Sequence, residues 1–199
     1  MLGHLALVEE TLAHAVETAI GMEGEPAEIT PYQAPVDLDP SPALSIVGKA
    51  KPMLKGRKIG ALVTDGADGD RVEALRAALA KEGAELAIVA PKIGGVRLKS
   101  GKPLVVDMAL SGAPSVFFDA VTIFASAEGI KLLLKNSGAI DWIRDAFGHL
   151  KVIGCTAAAR PLFARAGIAD DLDEGVIELD AGGSIAQYIE AAKAAARVG

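Results

Sequence analysis

Gly56-Arg57-Lys58-Ile59-Gly60-Ala61-Leu62-Val63-Thr64-Asp65-Gly66-Ala67-Asp68-Gly69-Asp70 is the stretch whose reading decides the fold. Its apolar run, Ile59, Ala61, Leu62 and Val63, lacks polar alternation, which suits a strand covered on both faces. The run stops at Thr64-Asp65-Gly66. Asp68 stands where a helix N-cap belongs, and Asp70 falls in the first turn, where the helix dipole favours negative charge. Val72, Leu75 and Leu79 then recur at helical spacing, and Gly83 supplies the stop. Leu86, Ile88 and Val89 form a second apolar run, ended by Pro91. Strand, crossover helix and strand make a right-handed parallel unit. The expected fold class is α/β, a doubly wound parallel sheet with helices on both faces.

Upstream of this unit the composition changes. Leu5, Val8, Leu12, Ala15 and Ala19 recur at spacings of three and four, so residues 3–20 read as one amphipathic helix, ended by Gly21. Between this helix and the α/β seed lie Pro26, Pro31, Pro35, Pro40, Pro42 and Pro52, six of the ten prolines in the chain. Proline removes donors and stiffens the backbone, so the segment reads as an extended connector. The expected organisation is a helix at 1–21, a Pro-rich linker at 22–55 and an α/β domain at 56–199.

Downstream, Val96-Arg97-Leu98 and Leu104-Val105-Val106 flank Lys99-Ser100-Gly101-Lys102 as a hairpin. Val116 to Asp119 is a short turn before a buried strand, Ala120 to Ala125. Ser126 and Ser137 are candidate caps of two helices, the second with Ile140, Ile143 and Phe147 inward. Leu150 to Cys155 reads as the next strand. A helix with Leu162 and Phe163 inward follows, then a last strand at Val176 to Leu179. Ser184-Ile185-Ala186-Gln187 is a capping box for the final helix, whose Tyr188, Ile189 and Ala192 face the core.

The 199 residues carry 20 Lys+Arg against 26 Asp+Glu, a net charge of −6, which disfavours nucleic acid and anionic membrane as partners. One cysteine permits no internal disulfide. The N-terminus lacks the basic region of a signal peptide, and no apolar run reaches the roughly 20 residues of a membrane span. A cytoplasmic location is the expectation.

Leu2-Gly3-His4-Leu5, Asp39-Pro40-Ser41-Pro42-Ala43-Leu44-Ser45-Ile46, Gly56-Arg57-Lys58-Ile59-Gly60, Val63-Thr64-Asp65-Gly66 and Ala113-Pro114-Ser115-Val116-Phe117-Phe118-Asp119-Ala120-Val121 resemble, in order and spacing, the C-terminal part of large-subunit haem catalases. The resemblance covers essentially the whole chain. It implies a flavodoxin-like domain, similar to class I glutamine amidotransferases and PfpI-type proteases, joined by a long connector to a catalase body. Residues 1–21 resemble the end of that body. The family's haem pocket lies upstream of the residues present, so the chain is expected to bind no haem. Tyr32 in the connector and Tyr188 on an apolar helix face do not look like haem ligands.

PfpI-like relatives use a cysteine at a tight strand-to-helix elbow, an acid after the first strand and backbone donors as an oxyanion hole. By the resemblance, the elbow falls on Ala157, which is no nucleophile, and the acid on Asp68, which serves equally as an N-cap. Ala125-Ser126-Ala127 replaces the glycine pair that often follows the relatives' third strand. Cys155 lies inside its strand, where a thiol behaves as a small buried hydrophobe. His149 precedes that strand, six residues at about 3.3 Å each from its far end, too distant to activate the thiol. Thr64 to Asp70 carries three carboxylates where a flavodoxin would cradle phosphate, and its spacing does not match a calcium loop. His4, His14 and His149 have no metal-ligand spacing. Lys92, Arg97, Lys99 and Lys102 make a basic hairpin, read as a solvated face. No metal site and no cofactor site are expected.

The reading that follows is a non-catalytic accessory domain of a large-subunit catalase, whose parent enzyme disproportionates hydrogen peroxide with haem. Its implied partners are the catalase body and neighbouring subunits of a homotetramer, which it would stabilise. Two alternatives stand beside it: a chaperone-like module holding unfolded clients, and a residual PfpI-like hydrolase using Cys155.

Overall fold

A computed structural model describes residues 2–22, 29, 41–44, 51–180 and 184–195. The backbone divides into two compact units, Met1–Ser45 and Ile46–Gly199. Most of the connector read at 22–55, and with it Tyr32, lies outside the described residues, as does Gly182-Gly183.

The first unit carries α1 (Leu2–Ala6) and α2 (Glu10–Ala19) where the periodicity predicts one helix. Glu9 makes the break. Its backbone is extended and its carboxylate accepts from the Thr11 and Leu12 amides at 3.2 and 3.1 Å, capping α2. The apolar stripe is not a buried face of this unit. Val8 and Leu12 are 78% and 44% exposed, and Ala15 and Ala19 face solvent, whereas Ala13 and Glu17 are buried. Apolar periodicity runs unbroken through Glu9, so it could not register a side chain that ends one helix and starts another.

The second unit is the predicted doubly wound sheet. In chain order it comprises β1 (Lys58–Val63), α3 (Gly69–Lys81), β2 (Glu85–Ala90), a hairpin of β3 (Val96–Arg97) and β4 (Pro103–Leu104), and β5 (Met108–Ala109). There follow β6 (Ala120–Phe124), α4 (Ala127–Leu133), α5 (Ser137–Gly148), β7 (Ile153–Cys155), α6 (Arg160–Ala166), β8 (Val176–Glu178) and α7 (Ser184–Ala195). The sheet order is β5-β2-β1-β6-β7-β8, with every neighbour parallel. β1 sits at the centre, between β2 and β6, where the strand order reverses.

Alternate residues of the strands feed two cores. Leu62, Val121, Ile123, Ile153 and Cys155 pack with residues of α4, α5 and α6 on one face; Ile59, Ala61, Val63, Ile88 and Ile177 pack with Val72, Leu75, Leu79 and Tyr188 of α3 and α7 on the other. The caps follow the local chemistry. Asp68 accepts from the Asp70 amide at 3.1 Å, Ser126 from the Gly129 amide at 3.0 Å, and Gly167 closes α6 with φ 75°. Asn136, not Ser137, precedes α5 as its cap residue.

Two elements differ from expectation. β5 was not foreseen; the Asp107 carboxylate accepts from the Ile88 amide at 2.7 Å and starts this two-residue edge strand. The strand predicted from Leu150 begins only at Ile153. Leu150 has φ 54°, its amide bonds to Phe147 O, and the Lys151 amide bonds to Ala146 O at 3.0 Å. This pair of bonds is the left-handed closure of α5, at a position where glycine is usual.

Gly129 of α4 packs against Thr64, the residue after β1. A Cβ added at Gly129 would lie 1.9 Å from Thr64 Oγ1 and 2.6 Å from Thr64 Cβ, whereas one at Gly148 would meet nothing within 4 Å. Gly129→Ala is therefore expected to cost about 1–3 kcal/mol in a urea melt, and Gly148→Ala, in a helix end, to be neutral or stabilising.

Candidate functional site

Parallel strands deliver all their carboxyl ends to one rim, and ligands of doubly wound sheets bind there, beside the switch in strand order. In this domain the rim holds a crevice of about 230 Å³ whose lining includes Gly66, Asp68, Arg71, Lys99, Thr156 and Asp180. Of the positions singled out by the sequence, Asp68 lines it, and Cys155 and Ala157 are chain neighbours of its lining residue Thr156.

Asp68 is the N-cap of α3, and its second oxygen lies 3.3 Å from Arg71 Nε. Arg71 Nη1 then crosses the crevice. It stands 2.7 Å from Asp180 Oδ1 and donates to Leu179 O at 2.8 Å. The other oxygen of Asp180 accepts from the Ala157 amide. Ala157, which the resemblance puts at the elbow, opens the turn that leads into α6. A carboxylate of the same chain thus occupies its amide donor. The elbow conformation is absent too: among the described residues Leu150 is the only non-glycine with positive φ, so Ala157 lacks the strained turn of a nucleophile elbow.

Cys155 ends β7 and is 5% exposed. Burial, reinforced by the nearby Glu178 and Asp180 carboxylates, pushes its thiol up to about 12. At neutral pH it is a protonated hydrophobe, not a nucleophile. His149 lies at the opposite end of the strand, as the C-cap of α5. The acidic loop is likewise absorbed by structure. Asp65 Oδ1 accepts from the Arg97 amide at 2.7 Å, while the Gly66 amide donates to Arg97 O and the Lys99 amide to Ala67 O. These bonds lay the basic hairpin across the loop. Among the described residues no cluster of three or more His, Cys, Asp or Glu could hold a metal. Tyr188 is fully buried, with its hydroxyl donating to Val121 O at 3.1 Å, so its oxygen is not free to ligate haem iron.

Sequence reasoning missed Arg71 and Asp180. Arg71 falls within an ordinary first helical turn and Asp180 within a polar stretch after a strand. Only the topology brings together residues 109 positions apart.

A profile for the C-terminal domain found in long catalases matches residues 55–198. The chain is 46% identical over 193 residues to "Catalase C" of Rhizobium meliloti (strain 1021), covering 95% of this chain and 27% of that protein. It is 31% identical over 175 residues to "Catalase HPII" of Mycobacterium avium, covering 87% and 24%. The chain thus spans about a quarter of the length of these relatives. Among solved structures, a ThiJ/PfpI domain protein from Brachyspira murdochii superposes with TM-score 0.52 at 17% identity, over 57% of this chain and 66% of that one. A DJ-1 superfamily protein from Salmonella typhimurium gives 0.51 at 21%, over 56% and 62%. At these identities the two structures establish the fold alone.

The thiol supplies two measurements. Folded protein is expected to react with a thiol reagent at least about 100-fold more slowly than unfolded protein, because the thiolate is suppressed and covered; equal rates would place Cys155 at the surface. The folded thiol titrates near 12 against an ordinary 9.0. Below pH 9 both states hold the proton and the group contributes no slope. Between about 9 and 12 only the unfolded chain ionises, so stability falls with rising pH by up to about 1.4 kcal/mol per unit. Subtracting the pH profile of Cys155→Ala from that of the unsubstituted protein should leave this slope.

Proposed function

The chain belongs to the family of C-terminal domains found in long catalases, and from that premise we propose that it is a non-catalytic accessory domain that stabilises an assembled catalase through its surface. The observation that carries this reading is the internal ion pair across the crevice. Asp180 fills the donor at Ala157 and neutralises Arg71, the elbow has no nucleophile, and the one thiol is buried and protonated. A domain whose crevice offers no activated nucleophile acts through what it binds on its outside.

In this reading the haem and the disproportionation of hydrogen peroxide belong to a catalase body outside these residues, and the partners are that body and neighbouring subunits. The stabilisation comes from removing apolar surface from water, at about 25 cal/mol per Å². The proposed organisation keeps 56–199 as the domain, 22–55 as its tether and 1–21 as the end of the body.

The isolated chain is expected to show no Soret band after incubation with haemin and no oxygen release from peroxide; catalase turnover by these residues alone would end the reading. In Catalase C of Rhizobium meliloti, removing the stretch that this chain matches should shorten the half-life of activity on heating and promote subunit dissociation. An unchanged half-life would count against stabilisation. Suppression of client aggregation by an equimolar amount of the isolated chain would favour a holding function instead.

A further inference from the structure

Polarity gives the sheet a second rim, opposite the crevice, where the strands begin. We propose that this rim is a docking surface with Val116, Phe117 and Leu150 as its apolar centre, and that its occupant is the haem-bearing body of a long catalase chain. The proposal rests on the accessory-domain reading and adds the surface that reading requires.

The three side chains are 61%, 57% and 72% exposed. Val116 and Phe117 belong to the 3-10 turn Ser115–Phe117, which leads into β6; Leu150 precedes β7. The two segments are clasped together, because the Lys151 ammonium donates to Ser115 O at 2.9 Å and to Phe118 O. Directly beneath, Phe118 and Trp142 are buried, and the Trp142 indole donates to Ala113 O at 2.9 Å. The patch is therefore held on a rigid base.

Leu150 carries the point further. A left-handed residue closing a helix is normally glycine, because a Cβ is unfavourable there. This chain places a leucine at that position and leaves it in water. Neither backbone preference nor burial accounts for the choice, whereas a covering partner does. An ion pair adjoins the patch along the chain: Arg57 Nη1–Asp119 Oδ1 at 2.6 Å, with Asp119 two residues beyond Phe117. An apolar centre with charged groups beside it matches the anatomy of a protein interface.

The route of the chain argues for the occupant. The α/β unit is entered at Arg57–Lys58, and Asp119, two residues beyond Phe117, accepts from the Lys58 amide at 2.9 Å. Whatever precedes the domain is tethered to this rim. In the relatives the matched stretch is only 27% and 24% of the protein, so the bulk of each polypeptide lies outside it.

The test places this chain in Catalase C of Rhizobium meliloti in exchange for the stretch it matches, and compares the whole protein with the isolated chain by hydrogen exchange. Amides 115–118 and 149–151 are expected to exchange at least about tenfold more slowly in the whole protein, and Phe117→Glu should abolish that difference. Leu132→Glu, an equally exposed site on α4, should leave it intact. Leu150→Gly gives a second readout with opposite signs: a higher melting temperature for the isolated chain, and faster exchange at 115–118 in the whole protein. If domain amides elsewhere become protected but Phe117→Glu changes nothing, this surface is wrong and the accessory reading stands. If no amide of the domain differs between whole and isolated protein, both fall. If the isolated chain dimerises and Phe117→Glu makes it monomeric, the occupant is a second copy and the proposal is overturned.

Discussion

The strands of the six-stranded sheet all run in one direction, and this shared direction sorts the domain's chemistry to two ends. Carboxyl ends bring the loops after β1, β6, β7 and β8 to one rim; amino ends bring the turns before β6 and β7 to the other. The arrangement depends on β1, which is bonded along its length to β2 on one side and β6 on the other and can be covered on both faces only because it is apolar throughout. Polar groups can appear only where β1 stops, at Thr64-Asp65-Gly66, so the crevice begins there.

What crosses that crevice is an internal ion pair rather than a reactive group. A partly buried guanidinium held by two carboxylates and a backbone carbonyl has little capacity left for an external anion, and the Ala157 amide is equally committed. These bonds join α3, the end of β8 and the start of α6. The rim of the sheet is thereby fastened by its own side chains.

Much of the α/β unit is legible in the sequence because its signals are strong and local. The unalternating strands, the cap at Asp68, the cap at Ser126 and the glycine after α6 are each decided within a few residues. The break at Glu9 was hidden because a glutamate is not the usual capping residue and the apolar period continues through it. β5 was hidden because two residues carry no period. For the site, the burial of Cys155 could be read from its apolar context. Arg71 with Asp180 could not, since their partnership exists only once α3 and β8 are folded.

The meeting of connector and domain has a mechanical consequence. The chain enters the sheet at the first residue of its central strand, so a pull along the connector is directed along β1. The ladders to β2 and β6 then carry the load together, in shear, rather than opening one bond at a time as a peeled edge strand does. Arg57 and Lys58 sit at the loaded end, held by both oxygens of Asp119, and the Glu85 amide donates to Arg57 O at 2.9 Å. A load entering at Arg57–Lys58 is therefore shared by the ladders to both neighbouring strands.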